Sequence, residues 1–322
     1  MARGQTIGRE RGGEAESPRQ IPKAGWKDVL WRVKDDLEKD HVSIVAPGVA
    51  FYAFLAIFPA LAAIVSIYGL FVDPQQAAQQ IEGLTAMLPE DARRLLTEQT
   101  QSVAGSTGGA LGFGMLISIG LALWSAQRGM MGLIQALNIT YGETEKRGFI
   151  RLYATSLALT VGAVLFIIIT LGLVAILPVV VGMLGLGGAA EWAIRLLRWP
   201  ILFGAVLVLL AGLYRFAPSR DGARWQWLTP GALMATLMWM LGSIAFSLYV
   251  SRFEDYNATY GTLGAVVALM MWFLLTAYVI LLGAEINNAL EKQTVKDSTQ
   301  GEPKPMGRRG ATAADTQGKP YN

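Results

Sequence analysis

The stretch GTLGAVVALMMWFLLTAYVILLGAEI, residues 261–286, decides how this chain is read: its one charged side chain, Glu285, falls in the last turn. About 20 apolar residues in a row are what an α-helix needs to cross a hydrocarbon core about 30 Å thick. The run is apolar on every side. It lacks the alternation of a barrel strand and the polar stripe of a helix on a water-soluble core. Five stretches upstream repeat the pattern, at 44–71, 110–128, 152–184, 200–216 and 228–250. The one at 200–216 reaches across only if Trp199 and Tyr214 mark its two interfaces, and 152–184 is long enough to tilt or to bend near Pro178. The expectation is an all-α, polytopic bundle of six transmembrane helices.

Composition agrees. Of 322 residues, 53% are hydrophobic and 16% are charged, against about 25% charged in an ordinary soluble domain. The absence of cysteine excludes disulfides, thiolate zinc sites and Cys nucleophiles, and the single histidine, His41, leaves little for metal or acid–base chemistry. His41, just before the first span, reads as a headgroup-level residue. No HExxH, P-loop, GxSxG or carboxylate cluster is present, so neither an enzyme nor a cofactor or metal is expected. A net charge of +3, dispersed beside the apolar runs, does not point to nucleic acid.

Cutting the chain at the six stretches places 22 of the 27 basic residues on the side of both termini, and Arg93, Arg94, Arg195, Arg198 and Arg252 on the other. By the positive-inside rule both termini are cytoplasmic. Residues 1–23 and 292–322 are rich in Gly, Pro and charge and read as disordered tails. Between 24 and 43, Trp26, Val29, Leu30, Val33 and Leu37 recur at spacings of three and four. They describe a helix lying at the membrane surface or one packed on another cytoplasmic element. The connection 72–109, with Ile81, Leu84, Leu88, Leu95 and Leu96 among Gln and Glu, reads as extracytoplasmic amphipathic helices broken near Pro89. No internal repeat argues for an inverted-repeat transporter.

An ionisable group inside a bilayer costs about 2.5–3.5 kcal/mol on insertion scales. The middles of these spans hold almost none, which weighs against a pump built on a buried carboxylate. Two charges stand at span ends, Arg128 and Glu285. Either Arg128 holds a lipid phosphate or substrate anion that Glu285 helps to position, or the two form a structural ion pair or separate interfacial charges. Asn138, Tyr141 and Asn287 are polar candidates nearby, while Arg147 and Arg151 suit a headgroup contact or a plain positive-inside anchor. Gly129 and Gly132, and Gly261 and Gly264, permit close helix approach, for packing or for lining a groove. Pro47 and Pro59 are positioned to bend the first span, and most Trp residues lie near span ends as an interface belt.

Four ordered blocks resemble one family. They are APGVAFYAFLAIFP (46–59); LWSAQRG (123–129) with ALNITYG (136–142) and KRGF (146–149); LYRFAP (213–218) with TPGAL (229–233) and FSLYV (246–250); and YGTLGA (260–265) with LLGAEIN (281–287). In this order they are similar to the YihY/virulence factor BrkB family, departing at Pro47, where that family more often carries Ala. The resemblance implies a bacterial inner-membrane protein with six spans. Members have been linked to resistance to host killing and to lipid export, and an older tRNA-processing ribonuclease label for them is regarded as mistaken. It carries over no catalytic residue. The expected function is transport of a lipid or other amphiphile across the cytoplasmic membrane, with membrane lipids as partners. The alternative is a non-catalytic envelope scaffold that binds a protein partner through 72–109 and the tails, and a membrane-bound nuclease is the least supported.

Overall fold

The computed structural model describes residues 7–68, 111–171, 187–250 and 262–321. Among these the chain is all helical, and no strand is present. A 17-residue helix, α1 (Lys23–Lys39), precedes six helices of 23–30 residues: α2 (Val42–Tyr68), α3 (Leu111–Thr140), α4 (Phe149–Leu171), α5 (Gly187–Phe216), α6 (Trp225–Val250) and α7 (Thr262–Glu291). A single turn, α8 (Thr312–Asp315), lies near the C-terminus. Phe149–Thr170, Trp199–Phe216, Trp225–Val250 and Val266–Glu291 are each long and apolar enough to cross a membrane. Val42–Ala56, in α2, is a shorter apolar helix.

α7 is the axis of the bundle. It packs against α6, α2, α1 and α3, while α2 lies along α3, α5 along α6, and α4 touches α3 and α5. Small residues set these approaches. A Cβ added to Gly129 would stand 3.1 Å from that of Ala56, and one added to Gly132 would stand 3.2 Å from the Tyr52 ring, so both glycines let α3 close on α2. Many other helix faces stay apolar and open, with Ile150, Leu165, Val208, Leu241 and Leu248 exposed. Such faces are stable only against an apolar solvent.

The helices depart from the hydropathy boundaries in two places. The stretch 110–128 ends at its first charge, yet α3 continues twelve residues past Arg128 to Thr140, about 18 Å further at 1.5 Å per residue. The stretch 152–184 corresponds to α4, which begins at Phe149, while 172–186, with Pro178, lies outside the described residues, as does 72–109. α2 is a single helix through Pro47 and Pro59.

The terminal segments also differ from the expected disordered tails, since residues 7–22 and 292–321 pack over the end of the bundle where α1 lies. Val295 N–H donates to Gly13 O (2.8 Å), Gln293 Nε2 to Arg11 O (2.8 Å) and Thr294 Oγ1 to Ala15 O (2.7 Å). Arg309 donates to the carbonyls of Val295 and Ala314, and Tyr321 N–H to Asp28 Oδ1. Ile7, Ala15, Ile21, Ala311, Ala313 and Ala314 are buried beneath. Composition cannot register this pairing, because each tail satisfies its backbone on residues some 280 positions away. α1 belongs to the same layer. Its Val29 and Val33 are buried, and Arg32 donates to Ala289 O (2.8 Å) and Gln293 Oε1 (2.9 Å), while Leu30 and Trp31 on its other face are exposed.

Candidate functional site

The polar atoms converge where α3 and α7 end, at the terminal end of the bundle. α3 stops in a Schellman turn: Glu143 N–H donates to Asn138 O, Gly142 N–H to Ile139 O, and Gly142 takes φ 63°. This presents Asn138 and Tyr141 to the α5–α6 connection. Ser219 N–H donates to Asn138 Oδ1 (2.7 Å), and Asn138 Nδ2 donates to Glu145 Oε2 (3.0 Å). Glu145 grips Arg147 through two hydrogen bonds of 2.8 Å, and Arg147 donates onward to Ala217 O (2.8 Å). The α3–α4 connection is thereby clipped to the end of α5.

The Arg147 hydrogen bond holds the Glu145 carboxyl down to about 2, against the weaker upward push of burial. A free glutamate titrates near 4.3. The folded value is the lower one, so the stabilisation is full above about pH 4.3 and is lost as pH falls toward 2. Glu145→Gln is therefore expected to raise hydrogen exchange across 142–148 at neutral pH and to flatten its rise in acid. Equal protection in variant and wild type at pH 7 would reject the clip.

Beneath the clip lies a buried polar layer. Arg220 Nη2 meets Glu291 Oε2 at 2.6 Å, the two side chains being 2% and 0% exposed, and the guanidinium lies 4.8 Å from the Tyr141 ring centre. Ser298 Oγ donates to the same Glu291 oxygen (2.6 Å), and Asn288 Nδ2 donates to Thr140 O (2.9 Å). Asn287 Oδ1 accepts from Gly231 N–H (2.8 Å) and ties α7 to α6. Burial raises the Tyr141 phenol well above its ordinary value, so it stays protonated. Several atoms of the layer lack a hydrogen-bond partner: Arg220 Nη1, Glu291 Oε1, the Tyr141 hydroxyl and Asn287 Nδ2.

Two cavities matter here, of which the first borders this layer through Arg220 and Ser219. One, of about 450 Å³, is lined by Lys146, Arg147, Arg151, Arg215 and Arg220, with Thr155, Ser219, Asp221 and Gln300. The other, of about 500 Å³, is apolar and lies between α2, α6 and α7, walled by Ser43, Pro47, Phe246, Met271, Leu274, Leu275, Tyr278 and Val279. Among the described residues no group of three His, Asp or Glu side chains is placed to hold a metal ion.

Of the residues singled out from the sequence, Asn138, Tyr141 and Asn287 come together here. Arg128 does not join them. It is exposed, about 15 Å along α3 from Asn138, with its guanidinium 5.3 Å from the Trp124 ring centre, and no ion pair with Glu285 is present among the described residues. Glu285 is fully buried, neither carboxyl oxygen has a hydrogen-bond partner, and its charged neighbours are Asp40, Asp36 and Lys292. Gly261 lies outside the described residues, and Gly264 is in the first turn of α7, about 31 Å along the helix from Glu285. The sequence reading missed Arg220, Glu291, Ser219 and Asn288. Arg220 was counted only as a charge in a connection, and nothing local to it signals a carboxylate 71 residues away.

Comparison with known proteins adds a lineage. The family profile described as Virulence factor BrkB matches residues 33–307. The chain is 33% identical over 255 residues to a putative ribonuclease-like protein, YfkH, of Bacillus subtilis, covering 76% of this chain and 88% of that protein. It is 25% identical over 285 residues to a UPF0761 membrane protein of Pseudoalteromonas translucida, covering 85% and 88% of the two chains. A UPF0761 membrane protein of Photobacterium profundum is 25% identical over 279 residues, covering 83% and 82%. No solved structure matches the chain significantly.

Proposed function

The chain belongs to the virulence factor BrkB family of membrane proteins, and from that premise we propose that it carries a lipid or similar amphiphile across the bacterial cytoplasmic membrane. In this reading α2–α7 make six crossings, and both termini, with the polar layer beneath them, face the cytoplasm. The bias of 22 basic residues against 5 supports that orientation.

The observation that carries the reading is the apolar cavity of about 500 Å³ between α2, α6 and α7. Its walls are side chains of helices that cross the bilayer, and it is of a size to take a length of acyl chain. A route for an amphiphile needs such an apolar groove, and it does not need a buried ion site. The ribonuclease-like name of the B. subtilis relative is not adopted for this chain. A metal-assisted nuclease needs clustered carboxylates or histidines, and the described residues offer no such set.

The test is transfer of headgroup-labelled phospholipid across proteoliposomes. Wild type is expected to accelerate transfer over protein-free vesicles, and Leu275→Trp, which fills the groove, to slow it about tenfold while the protein still inserts. Arg128→Ala should leave transfer unchanged, because that side chain lines neither cavity. Transfer no faster than in empty vesicles, for both anionic and zwitterionic lipids, would sink the proposal and favour the scaffold alternative.

A further inference from the structure

The basic cavity at the terminal end is not needed by an apolar route, and its charge arrangement is specific. Three of its five cations already have carboxylate partners: Lys146 meets Glu143 at 2.8 Å, Arg147 meets Glu145 at 2.8 Å, and Arg220 meets Glu291 at 2.6 Å. Arg151 and Arg215 meet none among the described residues. Arg215 donates to Ala223 O and lies 4.8 Å from the Trp225 ring centre. The one carboxylate in the lining, Asp221, is already bonded to Lys304 (3.0 Å). Two guanidinium groups without a carboxylate partner around a space of about 450 Å³ call for an anion with several acceptor oxygens.

The place of the cavity selects the anion. Phe149 begins one membrane-crossing window two residues before Arg151, Phe216 ends the next and Trp225 begins the third, and Phe216 and Trp225 lie against the Arg215 guanidinium. Phe216, in the lining, and Trp225, against Arg215, are exposed, 55% and 46% accessible, as are Phe149 and Ile150 just before Arg151 in the chain. Arg151 and Thr155 line it from inside the first window, so its mouth lies where the hydrocarbon begins. Aromatic side chains at that depth beside guanidinium groups are the pattern of a headgroup contact. The C-terminal segment closes the far side with Gln300 and Gly310.

We propose that this cavity binds the phosphate of an acidic membrane lipid at the face of the bundle that carries the termini, with Arg151 and Arg215 as its ligands. The site rests on the membrane-spanning reading of the chain and is independent of transport: a protein that moves no lipid would bind one here equally.

The experiment is calorimetric titration of the full chain in neutral detergent with dihexanoyl phosphatidic acid, dihexanoyl phosphatidylcholine and inorganic phosphate. Phosphatidic acid is expected to bind one to one, more weakly at high salt, and at least about tenfold more tightly than the other two. Arg151→Gln, an exposed position whose loss leaves the fold intact, should weaken it about tenfold, the effect of one charge-assisted hydrogen bond, and Arg151→Gln/Arg215→Gln should abolish it. Arg128→Gln serves as the unchanged control. An absence of binding to wild type, or an affinity that survives the double substitution, overturns the site. Inorganic phosphate binding as tightly as phosphatidic acid overturns the lipid assignment and leaves a soluble-phosphate site. Because binding and headgroup transfer are read separately, each can fail without the other.

Discussion

Arg220→Met is expected to destabilise the protein by about 3–5 kcal/mol, the usual effect of removing one member of a buried ion pair. The guanidinium side chain is 2% exposed and its partner Glu291 is fully enclosed, so water cannot replace the lost charge. Burial alone lowers the proton affinity of Arg220, but the Glu291 carboxylate and the hydrogen bond to it more than reverse that, and the guanidinium stays charged. Without it, Glu291 keeps only the Ser298 hydroxyl at 2.6 Å. Arg220→Met/Glu291→Leu should recover much of the loss, since an apolar pair of similar volume leaves no buried charge. The check is the unfolding midpoint in mild detergent, read against both single variants. A single substitution costing under about 1 kcal/mol, or a double variant worse than either single one, would show that the pair does not organise this end of the bundle.

Gly283→Leu is expected to cost about 3 kcal/mol, the upper end of overpacking penalties, and to reduce the yield of folded monomer. A Cβ on Gly283 would run into the Tyr214 hydroxyl and stand 2.8 Å from both Ala235 Cβ and Gly231 O. Across the interface, one on Gly231 would collide with Gly283 O and Asn287 Oδ1. The obstacles are backbone and fully buried groups, so neither helix can give way without parting α6 from α7. Tyr214 donates to Ile280 O (2.8 Å) at the same crossing, so α5 would shift with them. Gly242→Ala is the contrast. Its Cβ meets only the Leu275 methyls at 3.2 Å, which can rotate, and the better helix propensity of Ala offsets the contact. Size-exclusion yield and thermal midpoint of the two variants decide the matter, and equal behaviour would mean that the α6–α7 crossing is looser than its glycines require.

These two effects show where sequence reading reached and where it stopped. Apolar runs announced α4 to α7, because hydropathy is summed over neighbours in the chain and needs no knowledge of the fold. The same rule cut α3 short at Arg128. A charge in an apolar run reads as a boundary, whereas the helix continues with Arg128 exposed over Trp124, and the adjoining Gln127 donates to Tyr153 O (2.9 Å). The site was half legible. Asn138, Tyr141 and Asn287 stood out as polar residues beside apolar blocks and Arg151 suited either a headgroup contact or an anchor, but Arg220 and Arg215 looked like ordinary topogenic charges. Their meaning depends on which carboxylates stand next to them, and Glu291 is 71 residues from Arg220.

The all-helical membrane class follows from local composition alone, because the bilayer acts on each segment separately through the cost of its polar groups. Which cations remain unmatched, which glycines touch and whether the tails fold are pairwise matters. They rest on contacts such as Arg220 with Glu291, Gly231 with Gly283, and Gly13 with Val295, between residues 50 or more apart in the chain. Only the packing of the helices brings those partners within reach, and hydrogen bonds and ion pairs act over a few ångströms of space irrespective of separation along the chain.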